Sequence, residues 1–267
     1  MERGEPLSFL ICFFDLQLGE ALPTIQCGDM QFQNIQAVLF DKDGTLANAQ
    51  AFLCKLGHQR ANLLEALVPG VGPSLLQAFG LEGDRLNPAG LLAVGTRLEN
   101  EIAAAAYVAQ TSWDWMESLH LVRSAFLKAD QFMSPKAHHT PLFTGALATL
   151  QDLANVGIKV GIVSSDSPSH VQQFVEYYQL ESLVQVALGS HPDLSKPDPR
   201  LVYQACQILE VSPSVTLVVG DSAADVEMAG AAATLGCVGV GWGGVTPVML
   251  KGCSIFIHQF SDMQVIV

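Results

Sequence analysis

Four short clusters of chemistry-bearing side chains are spaced along the chain: Asp41 with Asp43, Ser164 with Ser165, Lys196, and Asp221 with Asp225. Carboxylates brought together repel one another and require a cation, and an all-oxygen ligand set suits a hard ion such as Mg²⁺. Gly44, between Asp43 and Thr45, gives backbone N–H groups room to approach an anion, and Ser164 adds a hydroxyl donor. Lys196 supplies a point charge able to hold a phosphoryl oxygen and restrain the carboxylates. Together these are the parts of a phosphoryl-transfer site, where positioning and charge neutralisation provide most of the catalysis. A carboxylate can itself be the nucleophile in such chemistry.

The clusters can meet only if the fold gathers them, and the surrounding pattern provides for that. Short apolar runs at residues 37–40, 158–163, 183–188 and 215–219 read as strands, and each is followed by one of the clusters. Helical spacing at 146–155, 168–178, 199–209 and 223–235 alternates with them, and further strands are expected at 237–240 and 255–257. This alternation implies a three-layer Rossmann-like α/β core, a parallel sheet whose strands are buried on both faces. The carboxyl ends of such strands share one edge, where ligand crevices form.

From residue 47 to 140 only helical signals occur, at 52–67, 91–109 and 113–132, with turns at Pro69-Gly70, 80–84 and Asn87-Pro88. The expected organisation is therefore a core of residues 34–46 and 141–267 with an inserted all-helical cap of residues 47–140. Residues 1–33 show no regular period. Met30 lies just before the first convincing strand, so this stretch is expected to be an extension outside the fold or the product of a misplaced start.

The formal charge is −13 with 15% charged residues and no Lys/Arg run, which argues against a general nucleic-acid or anionic-membrane surface. Two apolar stretches resemble membrane segments. Residues 8–18 are short, contain Asp15 and lack a basic flank, while the uncharged run 228–250 is broken by glycines and Pro247. Neither is expected to span a bilayer. Cys12, Cys27, Cys54, Cys206, Cys237 and Cys253 form no C-x-x-C pair and no zinc-ligand spacing, so they are expected to be reduced thiols in a cytoplasmic protein. Oligomeric state is not legible.

Residues 37–46 (AVLFDKDGTL) resemble the first motif of the haloacid dehalogenase-like superfamily. Residues 160–165 (VGIVSS) resemble the second, 195–199 (SKPDP) the third and 217–225 (LVVGDSAAD) the fourth. The likeness covers residues 35–46 and about 142 to the end, and 239–243 (GVGWG) resembles a segment of phosphoglycolate phosphatase-like members. The resemblance implies Asp41 as nucleophile and Mg²⁺ ligand, with Asp43 as general acid/base and its carbonyl on the metal. It implies Ser164 and Lys196 as phosphoryl ligands, with Gly44, Thr45 and Ser165 beside them. Asp221 would ligate Mg²⁺, with Asp225 helping directly or through water. An Asp at position 43 selects phosphatase or phosphomutase within the superfamily, and the helical insertion resembles the mobile cap of phosphoglycolate phosphatase and β-phosphoglucomutase relatives.

The implied function is a Mg²⁺-dependent phosphatase for a small phosphorylated metabolite, with phosphoglycolate the nearest analogy. A phosphomutase is the alternative, and a non-catalytic protein of the same fold ranks last. Lys42 is expected to point away from the side shared by Asp41 and Asp43. His138 and His139 are read as a solvated hinge, and Asp166 or Ser167 as a helix cap. Trp113 and Trp115 are expected to pack within the cap. Lys55, Arg60, Arg85, Arg97, Arg123 and Lys128 are candidates to meet a second anionic group of the substrate.

Overall fold

The computed structural model describes residues 23–266, so the apolar stretch 8–18 and Cys12 lie outside the described residues. Its strands begin with β1 (Thr24–Cys27), β2 (Met30–Phe32), β3 (Ala37–Phe40), β4 (Leu81–Glu82) and β5 (Arg85–Leu86). They continue with β6 (Lys159–Val163), β7 (Val186–Leu188), β8 (Thr216–Gly220), β9 (Gly236–Val240), β10 (Ile255–Ile257) and β11 (Met263–Ile266). The cap helices are α1 (Gln50–Leu67), α2 (Val71–Phe79), α3 (Leu91–Val94), α4 (Arg97–Ala109) and α5 (Trp115–Phe132). The core helices are α6 (Ala146–Asn155), α7 (Pro168–Tyr177), α8 (Arg200–Leu209) and α9 (Ala223–Ala231).

The main sheet has the order β10-β9-β8-β3-β6-β7, and each neighbouring pair is parallel. Successive β3 side chains alternate between its faces. Val38 and Phe40 pack with Leu150 of α6 and Phe174 of α7. Ala37 and Leu39 pack with Val202 of α8 and Met228 of α9. All four β3 residues are fully buried, and each large apolar side chain so placed contributes about 1.5–3 kcal/mol.

Register then sets the position of the chemistry. Phe40 lies opposite Ile162 of β6 and Val219 of β8. Asp41 therefore sits level with Val163 and Gly220, with Ser164 and Asp221 one residue further on. The chain builds outward from β3 through β6 and β7, then returns to place β8 on the other side of β3. That reversal opens a crevice at the strand ends.

The insertion has its own apolar centre, including Leu64, Leu75, Phe79, Val122 and Phe126. It differs from the sequence expectation in detail. Helix α2 was not anticipated; Gly70 and Gly80, both at positive φ, bound it. The expected helix over 91–109 is two helices, because a capping box between Thr96 and Glu99 starts α4 afresh after Gly95. A small hairpin, β4 with β5, occupies the turn near residues 80–84. Trp113 and Trp115 are 39% and 45% exposed and lie outside the buried centre of the cap. The chain crosses between core and cap on paired strands of backbone, Asn48 N donating to Pro141 O at 2.7 Å and Phe143 N to Leu46 O at 2.9 Å.

The largest departure lies at the start of the described chain. From sequence, no element is expected before residue 33, yet β1 is the central strand of a separate sheet, β11-β1-β2. Ile25 and Cys27 are fully buried and join the core beneath α6. A chain beginning at Met30 would lose β1 and leave β2 and β11 without their shared partner. Truncating Ile25→Ala should therefore cost about 2–5 kcal/mol, the range for deleting a fully buried aliphatic side chain. Urea unfolding measures this; an unchanged midpoint would mean that residues 24–32 are peripheral to the fold.

Among the described residues no helix is long and apolar enough to cross a membrane, and the uncharged run 228–250 is the end of α9, β9 and a loop. The described cysteines are free, and Cys27, Cys54, Cys206 and Cys237 are buried.

Candidate active site

Asp41 follows β3 and is 8% exposed. Its Oδ1 accepts from Lys196 Nζ at 2.6 Å, and the same ammonium donates to Asp225 Oδ1 at 2.6 Å. Lys196 is thus fixed between two carboxylates, which raise its pKa although burial works against its charge. Asp41 Oδ2 is buried and has no hydrogen-bond partner. Asp221 stands beside this pair, and Asp41, Asp221 and Asp225 offer oxygens within 4.8 Å of one another.

Crowding has an electrostatic cost. Burial pushes Asp41 up to about 6, with Lys196 opposing and Asp225 and Asp43 adding to the rise. Burial, then Asp41 and Asp225, pushes Asp221 well above the ordinary carboxylate range. Two carboxylates that resist ionisation, one with an unpartnered buried oxygen, fit a hard divalent cation. Asp225 is less available to it. Its Oδ2 accepts from Ser222 N and Oγ in the capping box that starts α9, while Lys196 occupies Oδ1.

Gly44 has φ +89, and a Cβ there would lie 1.9 Å from Asp221 Oδ2. Only glycine lets Asp221 approach this loop. Its own N–H is committed to Ala47 O at 2.8 Å, so what Gly44 provides here is space. Thr45 is fully buried with an unpartnered Oγ1 and does not line the cavity; its carbonyl accepts from Trp242 Nε1 at 2.9 Å. That bond anchors the 239–243 segment against the Asp41 loop.

Ser164 is buried, and its Oγ accepts from Asp166 N at 3.1 Å. Ser164, Ser165, Asp41, Asp43, Lys196 and Asp221 all line a cavity of about 600 Å³ between core and cap. The helix that follows is capped by Ser167, whose side chain accepts from His170 N.

Asp43 has neighbours that sequence reasoning missed. Lys42 Nζ donates to its Oδ1 at 2.5 Å, and Lys136 Nζ donates to its Oδ2 at 2.6 Å. Both ammonium groups also meet Asp166 Oδ2, at 2.9 Å and 2.6 Å. Burial works to raise Asp166, but Lys136 and Lys42 hold it well below the ordinary carboxylate range. Lys42 does not line the cavity, as expected, but it is fully buried and curls back to Asp43 rather than pointing away. Alternation failed there because the chain turns directly after β3, Leu46 N and Ala47 N both donating to Lys42 O. His138 and His139 are exposed at the return from the cap, against Tyr177 and Phe52 respectively.

Of the six cap cations considered, only Arg60 and Arg97 line the cavity. Arg60 donates to Asp130 at 3.2 Å, and Arg97 to Asp130 and to Glu101, the latter at 2.6 Å.

A parallel α/β core with this cluster at its strand edge, roofed by an inserted helical domain, defines a capped hydrolase. Residues 35–233 match the family model described as haloacid dehalogenase-like hydrolase. The chain belongs to that family. It is 27% identical over 194 residues to N-acetylmuramic acid 6-phosphate phosphatase of Pseudomonas putida, covering 72% of this chain and 77% of the relative. It is 25% identical over 247 residues to pyrophosphatase PpaX of Listeria monocytogenes, covering 87% and 96%. Among solved structures, a predicted phosphoglycolate phosphatase from Haemophilus somnus shares the fold with TM-score 0.64 and 20% identity, covering 85% of this chain and 96% of that one. A β-phosphoglucomutase from Clostridium difficile does so with TM-score 0.58 and 16% identity, covering 85% and 92%.

Proposed function

We propose that the chain is a Mg²⁺-dependent phosphatase that hydrolyses a small phosphorylated metabolite through an aspartyl-phosphate on Asp41. The observation that carries this reading is a buried Asp41 that lines the cavity, with its Oδ1 pinned by Lys196 and its buried Oδ2 unpartnered. The names of the two curated relatives, a phosphatase and a pyrophosphatase, support chemistry at phosphorus.

Asp41 and Asp221 would hold the ion, with the Asp43 carbonyl beside them and Asp225 acting through water. Bound Mg²⁺ supplies positive charge that relieves the carboxylates and offsets the phosphoryl oxygens. One carboxylate oxygen of Asp41 attacks phosphorus, the bond to the leaving oxygen breaks, and Asp43 gives that oxygen a proton. Asp43 then takes a proton from water as the water attacks the aspartyl-phosphate, releasing phosphate and restoring Asp41. Ser164 and Lys196 hold the phosphoryl oxygens, and the cap excludes bulk water. A panel of phosphorylated metabolites, assayed for inorganic phosphate with and without Mg²⁺, tests this: release should require the ion, and silence across the panel would overturn the proposal.

Metal binding has a thermal readout too. With Asp41 raised to about 6, the metal-free native state binds more protons than the unfolded chain between the ordinary carboxylate range and about pH 6. Metal-free stability from this group therefore falls as pH rises through that window, and Mg²⁺ should restore it by compensating the carboxylate charge that the lost proton leaves bare. At neutral pH, Mg²⁺ at about 100 times its Kd should add about 2.7 kcal/mol, raising Tm by about 5–10 °C. The rise should shrink below about pH 6 and nearly vanish in Asp221→Asn. An undiminished rise in that variant would place the ion elsewhere.

A further inference from the structure

Above Asp41, the cap presents Arg60, Arg97, Asn100, Glu101 and Asp130 to the cavity. Their charges cancel, two guanidinium groups against two carboxylates, and the groups are bonded to one another across the wall. Two polar atoms there are left without partners: Arg60 Nε, a donor, and Asn100 Oδ1, an acceptor. Both residues are more than nine-tenths buried, Arg60 at 6% exposure and Asn100 at 2%. Asn100 is not free to turn away. Its Nδ2 donates to the carbonyls of Leu91, Gly95 and Thr96, which fixes Oδ1 as the unused end. Arg60 lies over the Phe126 ring at 4.3 Å, which likewise fixes its plane.

Resting on the phosphatase reading, we propose that this wall binds an uncharged, hydroxyl-bearing body, so that the substrate is a sugar monophosphate rather than a doubly anionic ester. A second phosphate or carboxylate would meet guanidinium groups that are already neutralised and would lie against Asp130 and Glu101. A hydroxyl both donates and accepts, and so can answer the carboxylate, guanidinium and amide groups that line this one cavity. Phe52, Leu53, Leu56 and Leu92 line the same space and offer an apolar surface to the C–H face of a sugar ring. The cavity of about 600 Å³ is also far larger than a two-carbon ester needs. This departs from the expectation that the cap cations meet a second anion.

The test compares kcat/KM, with Mg²⁺, for hexose 6-phosphates, a hexose 1,6-bisphosphate, phosphoglycolate and p-nitrophenyl phosphate. A hexose monophosphate should exceed both doubly anionic esters by about tenfold or more, the discrimination a buried polar wall can supply. Asp130→Asn leaves Arg60 and Arg97 under-compensated and should move the monophosphate-to-bisphosphate ratio about tenfold towards the bisphosphate. Glu101→Gln, on the same wall, should move it the same way and serves if Asp130→Asn does not fold. A wild-type preference for the bisphosphate or for phosphoglycolate, or a ratio unmoved by a folded variant, would overturn the inference. No release from any ester, p-nitrophenyl phosphate included, would instead overturn the phosphatase reading.

Discussion

Replacing Asp41→Asn should lower Mg²⁺-dependent phosphate release by about 10⁴-fold or more, the scale seen when a catalytic nucleophile is removed. The substitution changes almost no volume and keeps an oxygen for Lys196, which also retains Asp225 at 2.6 Å. Folding should survive for an electrostatic reason. The native site already pushes Asp41 up to about 6, so its charge opposes folding in the metal-free state, and removing that charge relieves Asp221. Loss of turnover with an unchanged or raised Tm is therefore the expected pair of results. Acid-quenching a reaction with ³²P-labelled substrate adds a direct view: label should remain on the wild-type protein and be absent from the variant. Turnover within tenfold of wild type would remove Asp41 from the chemistry.

The surroundings of Asp41 were legible because each residue that contributes to them carries a local mark. Each acidic or hydroxyl cluster directly follows an apolar run or lies in the loop beyond it, and a parallel sheet must bring such positions to one edge. Lys42, Lys136 and Asp166 were illegible because their partnership belongs to side-chain reach across distant segments. Lys136 is 93 residues from Asp43 in sequence, on a turn between cap and core. One signal was present: it is the only Lys or Arg between Lys128 and Lys159, placed where the chain returns to the strand edge. The strand pair at residues 24–32 was missed for a related reason. Its alternation is only a few residues long, and its main partner, β11, comes from the other end of the chain. The turn at Gly28-Asp29, with Gly28 at φ +54, was the available cue.

Lys136 is expected to give the second large effect, since one side chain joins the cap return to the proposed proton carrier. It is 8% exposed, and burial disfavours its charge, but Asp166 and Asp43 raise its pKa above the usual lysine range. Lys136→Met leaves Asp43 with Lys42 alone and Asp166 with Lys42 and His170, and stripping one partner from a buried pair costs about 3 kcal/mol or more. A raised lysine contributes its stability below the unfolded pKa, and a depressed carboxylate such as Asp166 contributes above its own. The gap between wild type and variant should thus be flat through neutral pH, close in acid as Asp166 takes up a proton, and shrink again in alkali above the ordinary lysine range.

Activity should fall for a separate reason. Both Asp43 oxygens accept from ammonium groups, so Asp43 can carry a proton to the leaving oxygen only after one lysine lets go. The lysine at the cap–core crossing is the one that cap movement can shift, whereas Lys42 is fixed in sequence beside Asp41. Until that movement Lys136 holds Asp43 Oδ2 in place, as a positioning residue. Its loss leaves the carboxyl held from one side only and should lower kcat by about 10²-fold, the scale of misplaced acid–base catalysis, with little change in KM. The pH–rate profile should also shift. Lys136→Arg keeps the charge but not the compact ammonium, so it should recover more stability than turnover. A Lys136→Met protein that loses stability yet keeps wild-type kcat and pH profile would make the contact structural alone.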